Sequence, residues 1–155
     1  MIYRGNLTQN ENRTIAIIAS RFNTLIVEQL IIGAKESLKM QGIIEENIDI
    51  IWVPGAFEIP LVAKKVSENK KYDGIITLGA VIKGETDHYD LVINASANGI
   101  SEIGIHTNTP IVFGVLATDT LEQAQQRSGG KSGNKGSEVA LALLEVISVL
   151  HKLEN

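Results

Sequence analysis

Of the three histidines in the chain, His88 is the one whose surroundings suggest chemistry. It ends the stretch Gly79-Ala-Val-Ile-Lys-Gly84-Glu85-Thr86-Asp87-His88, where a helix is expected to begin. A histidine near neutral pH can accept a proton and return it, which is general acid–base catalysis. The competing reading is a helix-start histidine with no part in a reaction. The same stretch almost matches a phosphate loop, but Glu85 stands where that pattern needs lysine. A carboxylate there repels nucleotide phosphates, which excludes nucleotide hydrolysis. Backbone N–H groups at a helix start can still hold one phosphate, and Thr86 can add its hydroxyl.

Three other clusters carry candidate functional groups. Phe22 lies between Arg21 and Asn23. Its ring can stack on a flat heterocycle, or it can pack its turn onto the following helix. Glu58 lies in Pro54-Gly55-Ala56-Phe57-Glu58-Ile59-Pro60, a turn leading into a helix. A carboxylate at a helix start is electrostatically favoured, and it can also accept hydrogen bonds from a polyol. Arg127, Lys131 and Lys135 fall in one Gly- and Ser-rich stretch of an acidic chain. They read either as an anion site or as a solvated loop. Gly130-Lys131-Ser132 imitates the end of a phosphate loop, but Gln125 replaces the required glycine and the segment follows a helix. No His, Asp or Glu grouping has metal-ligand spacing.

These clusters follow four apolar runs at 14–20 (TIAIIAS), 48–53 (IDIIWV), 74–79 (GIITLG) and 111–117 (IVFGVLA). The runs are rich in Ile and Val and do not alternate with polar residues, as expected of strands buried on both faces. Helical patterns separate them. Asn23 or Thr24 can cap a helix that ends at Gly42. Pro60 suits the first turn of a second helix. A third is expected over about 88–105, and Asp119 with Glu122 suggests a capping box for a fourth. A last helix is expected over about 137–153. Alternating strands and helices predict a parallel sheet with helices on both faces. In such sheets ligands bind beyond the carboxyl ends of the strands, where the clusters lie.

Composition narrows the function further. The 155 residues suit one domain. A net charge of −4 lacks the basic face that nucleic acid requires. The absence of cysteine excludes disulfides, a thiolate metal site and a cysteine nucleophile. No apolar stretch reaches membrane-spanning length and the first residues lack a signal-peptide core, so a cytoplasmic location is expected.

The motifs together resemble the 6,7-dimethyl-8-ribityllumazine synthase family. The matching stretches are Ser20-Arg-Phe-Asn23, Trp52-Val-Pro-Gly-Ala-Phe-Glu-Ile-Pro60, residues 79–89 with the core Gly-x-Thr-x-His-Tyr-Asp, Pro110-Ile-Val-Phe-Gly114 and Gly133-Asn-Lys-Gly136. They occur in family order and cover nearly the whole chain. The resemblance implies a flavodoxin-like fold, a three-layer α/β/α sandwich on a mainly parallel four-stranded sheet, with one domain over 1–155. It implies condensation of 5-amino-6-(D-ribitylamino)uracil with 3,4-dihydroxy-2-butanone 4-phosphate, without metal or organic cofactor. By position, Phe22 would stack on the pyrimidine, with Asn23 beside it. Gly55, Ala56, Phe57 and Glu58 would bind the ribityl chain. Ala80, Val81 and Ile82 would line the pocket, and Gly84, Glu85 and Thr86 would hold the phosphate. His88 would shuttle protons. Phe113, Arg127 and Lys135 would come from a neighbouring subunit, Arg127 meeting phosphate and Lys135 the pyrimidine. The family forms pentamers. The compact 131–136 stretch suggests a shell of 60 subunits, with riboflavin synthase as a candidate partner and segment 1–13 pairing with a neighbour.

Overall fold

Runs of Ile and Val without polar alternation require apolar layers on both sides. In the structure, a computed structural model that describes residues 1–84 and 88–155, two of the four runs have them in full and the other two in part. Four strands, β1 (Ile15–Ser20), β2 (Ile48–Val53), β3 (Gly74–Ile82) and β4 (Ile111–Thr118), form one sheet in the order β2-β1-β3-β4. Every pairing is parallel, with Ile15 opposite Ile48 and Gly74, and Ile75 opposite Ile111. All residues of the central strands β1 and β3 are buried. The edge strands β2 and β4 are only partly covered.

Helices α1 (Thr24–Met40), α4 (Leu121–Gln126) and α5 (Lys135–Glu154) cover one face. There Ile15, Ile17, Ile76 and Leu78 pack with Leu30 and Leu38 of α1 and Leu143 and Leu144 of α5. Helices α2 (Ile59–Glu68) and α3 (Tyr89–Thr107) cover the other, around Ala16, Ile18, Ile75, Ile59, Ala63 and Ile100. Each fully buried Ile or Leu contributes about 1.5–3 kcal/mol. The three layers and the flavodoxin-like plan match the expectation, and the sheet is parallel throughout.

Several local expectations are corrected. β3 runs on to Ile82, three residues beyond the expected end at Gly79, because apolar Ala80, Val81 and Ile82 still pair with Leu116, Ala117 and Thr118. The capping box of α4 uses Thr120 and Gln123, not Asp119 and Glu122: the Thr120 hydroxyl accepts from the Gln123 N–H at 3.2 Å and the Gln123 side chain accepts from the Thr120 N–H at 3.3 Å. The stretch read as a flexible loop contains a short antiparallel ribbon, β5 (Ser128–Gly130) with β6 (Gly133–Asn134). Residues 1–13 carry no strand. Part of this segment lies on α5, where the Asn6 N–H donates to Ser148 Oγ at 3.1 Å and Lys152 donates to the Arg4 carbonyl at 2.6 Å.

At the far edge of the sheet a polar cluster ties β2 to the start of β3. Lys71 and the Tyr72 hydroxyl donate to the Asp49 carboxylate at 2.8 and 2.6 Å. These bonds, that of Lys71 first, hold the Asp49 carboxyl below the ordinary aspartate range.

Helices α1 and α5 meet at backbone distance. A Cβ on Gly136 would lie 2.0 Å from the Leu30 carbonyl oxygen, so only glycine lets α5 start there. Gly136→Ala should therefore lower the unfolding free energy by about 1–3 kcal/mol through overpacking. A lower urea midpoint at unchanged m-value would record it.

Candidate active site

The carboxyl ends of β1 and β3 stop at different levels. The β1–β3 ladder closes with Ala19 opposite Leu78, so the Ala80 carbonyl projects past the end of β1. The Asn23 side-chain amide donates to it at 2.8 Å. Asn23 stands at the N-cap position of α1, but in left-handed backbone with φ of 61°, and its side chain does not cap the helix. It closes the sheet end instead. Among L-residues, Asn is one of the few that adopt this conformation readily.

The turn held by Asn23 presents Phe22, 55% exposed, above a cavity of about 210 Å³. Gly55, Ala56, Phe57, Glu58, Ala80, Val81, Ile82 and Val92 complete its lining. Exposure of more than half the residue favours stacking over simple packing of the turn. Phe57 is 62% exposed beside it. Glu58 ends a 3-10 turn and stands at the N-cap position of α2, half-buried, with its Oε1 over Gly55. The structure thus brings together Phe22 and every expected residue of 55–58 and 80–82. Val92, one helical turn after His88, was not foreseen. Its signal lies only in the helical spacing.

Gly84 follows β3 with φ of 90°, a conformation that favours glycine. His88 is exposed and opens α3, where its carbonyl accepts the Val92 N–H at 2.9 Å. Glu85 and Thr86, expected phosphate ligands, lie outside the described residues. Next to His88, burial first, and then the charges of Asp119 and Asp90, push the Tyr89 hydroxyl above its ordinary pKa. It is protonated at neutral pH, so it can donate.

Arg127 and Lys135 share a different cavity, of about 350 Å³, with Val115, Leu116, Ala117, Ser132 and Glu138. The Lys135 N–H donates to the Arg127 carbonyl at 2.8 Å, which fixes their spacing across the ribbon. The Lys135 ammonium lies 3.7 Å from Glu138, a residue the sequence reading missed although an i,i+3 pair is visible there. Phe113 sits on β4 and lines a third, mostly apolar cavity with Ile100, Pro110, Val146 and Leu150. One chain therefore does not bring Phe113, Arg127 and Lys135 to Phe22. Among the described residues no His, Asp or Glu group could hold a metal, and no helix is long and apolar enough to cross a membrane.

The Asn23 tether has a separable cost. Asn23→Gly keeps the left-handed turn and loses the bond to Ala80, which should remove about 1–3 kcal/mol of stability. Asn23→Ala should remove about 1–2 kcal/mol more, from strain at positive φ. Chemical denaturation of the pair checks the order.

The sequence profile of the family described as 6,7-dimethyl-8-ribityllumazine synthase matches residues 12–151. A protein of Leuconostoc mesenteroides subsp. mesenteroides named 6,7-dimethyl-8-ribityllumazine synthase is 68% identical over 155 residues, covering 100% of this chain and 99% of that relative.

Proposed function

The chain belongs to the 6,7-dimethyl-8-ribityllumazine synthase family, and from that premise we propose how its residues divide the work. The enzyme condenses 5-amino-6-(D-ribitylamino)uracil with 3,4-dihydroxy-2-butanone 4-phosphate, the penultimate step of riboflavin biosynthesis. The carrying observation is the cavity under Phe22, lined by residues 55–58 and 80–82 at the strand ends. A lining of two aromatic rings, small apolar residues and one carboxylate suits a flat ring with a polyol tail. Phe22 stacks on the pyrimidine, Glu58 accepts ribityl hydroxyls, and Ala80, Val81 and Ile82 offer main-chain groups to the ring edge. Gly84, Glu85 and Thr86 form the phosphate loop, with Arg127 as its cationic partner. Lys135 meets the pyrimidine.

The chemistry needs little beyond placement. The aromatic amine attacks the ketone carbonyl and loses water to form an imine. Removal of the neighbouring C–H proton expels phosphate and leaves an enol, which returns to a ketone. The ribitylamino nitrogen attacks that carbonyl, and a second water leaves as the ring closes. His88 accepts and returns protons during imine formation and elimination. Both substrates already carry the reactive groups, so orientation supplies most of the acceleration.

The 210 Å³ cavity of one chain falls short of the roughly 300–1,000 Å³ usual for a small-molecule site. Arg127, Lys135 and Phe113 line other cavities of the same chain, on or beside the open edge strand β4. Both facts support a site completed by a second copy. We assign the assembly as a homopentamer, with twelve pentamers building the shell and residues 1–13 reaching a neighbour.

In an assay following lumazine absorbance against the uncatalysed reaction, His88→Ala should slow turnover and retain acceleration. Arg127→Ala should lose most of its affinity for the butanone phosphate. A correctly assembled His88→Ala protein with no acceleration would contradict the positioning mechanism. Co-assembled Phe22→Ala and Arg127→Ala chains test the shared site. Random mixing restores both wild-type halves at about one interface in four, so activity should return to about a quarter of wild type. If the mixture is no more active than its parents, each site belongs to one chain.

A further inference from the structure

The two cations flank a ribbon of few residues, Arg127 just before β5 and Lys135 at the start of α5, and long flexible side chains beside a loose ribbon could not fix an anion. From the bonding of Gly133-Asn134-Lys135-Gly136 we infer that Asn134 is a positioning residue, which locks the Arg127–Lys135 half of the site onto α1. The inference rests on the reading that these two cations bind substrate.

One carboxamide makes three contacts. Its Oδ1 accepts from the Ser137 N–H at 3.2 Å, capping α5 one residue before Lys135. Its Nδ2 donates to the Gln29 carbonyl of α1 at 3.0 Å. Its flat face lies against Gly33, where a Cβ would come within 2.4 Å of Cγ and Oδ1. The Asn134 backbone pairs with Ser128 across the ribbon, and the next N–H, that of Lys135, bonds the Arg127 carbonyl at 2.8 Å. Asn134 is thus the point where α1, α5 and both cation-bearing residues meet.

The residue type fits this task. A helix cap alone is served as well by Asp or Ser. Holding Ser137 and Gln29 together needs an acceptor and a donor on one short planar group, which only asparagine supplies. Aspartate keeps the cap but loses the donor and sets a carboxylate against the Gln29 carbonyl. Glutamine is one methylene too long to lie flat on Gly33.

Asn134→Asp, Gly33→Ala and Arg127→Ala, each assembled as the wild type is, should be compared in steady-state kinetics and in inhibition by inorganic phosphate. Asn134→Asp should retain folding because the cap survives. Its KM for the butanone phosphate and its phosphate inhibition constant should rise about tenfold or more, as for an ångström-scale misplacement, and kcat at saturation should change less. Gly33→Ala, which displaces the carboxamide from the α1 side, should reproduce this. In an Asn134→Ala background it should add little, since the group it strikes is gone. Wild-type KM in Asn134→Asp and Gly33→Ala, beside a raised KM in Arg127→Ala, would overturn the positioning role alone. So would a lowered melting temperature in Asn134→Asp with KM unchanged, which marks a cap only. A wild-type KM in Arg127→Ala would overturn the phosphate assignment and this inference with it.

Discussion

The structure depends on the burial of β1 and β3 on both faces. A strand enclosed by two helical layers has no room for an ionised group, because desolvating one costs several kcal/mol. The polar side chain within β3, that of Thr77, satisfies itself by donating to the Val112 carbonyl at 2.8 Å. Neither β1 nor β3 contains an ionisable side chain, so the charged groups of the candidate site lie beyond the strand ends or near the edge at β4. The position of the candidate site follows from that constraint before any particular residue is considered.

The two candidate cavities are built on different physical terms. The cavity beneath Phe22 is lined by the end of β3, the turn before α2 and Val92 of α3, beside the Asn23 amide that closes the gap beyond β1. Its position is set by the sheet itself. Arg127 and Lys135 flank a ribbon outside the main sheet, so their placement depends on side-chain hydrogen bonds and close helix contact. Among the described residues, the cavity beneath Phe22 holds one carboxylate, that of Glu58, and no cation, whereas Arg127 and Lys135 line the other cavity with Glu138.

Much of this was legible in the sequence. β1 and β2 could be read because unbroken Ile and Val runs have few other fates, and α2 because Pro60 marks its first turn. The residues around the Phe22 cavity were legible as motifs. Four features were not. The extension of β3 through Ile82 depends on pairing with β4, a tertiary fact. Asp119 with Glu122 and Thr120 with Gln123 offer the same cap pattern one residue apart, and only the chain direction into α4 decides between them. Asn23 looked like a cap, yet its amide is drawn to a carbonyl 57 residues away. The ribbon at Ser128 and Asn134 is too short and Gly-rich for any periodic signal.

The parallel topology also orders events in time. β1 must await β2 and then β3, and each partner arrives only after a crossover helix, so these long loops close before any ladder bond rewards them. The contact of Gly136 with Leu30 comes late along the chain. On a ribosome, where folding proceeds from the N-terminal side, the residues that line the Phe22 cavity are made before the ribbon and α5. Because α5 covers one face of β1 and β3, the sheet that carries the pocket is closed only when this last helix docks.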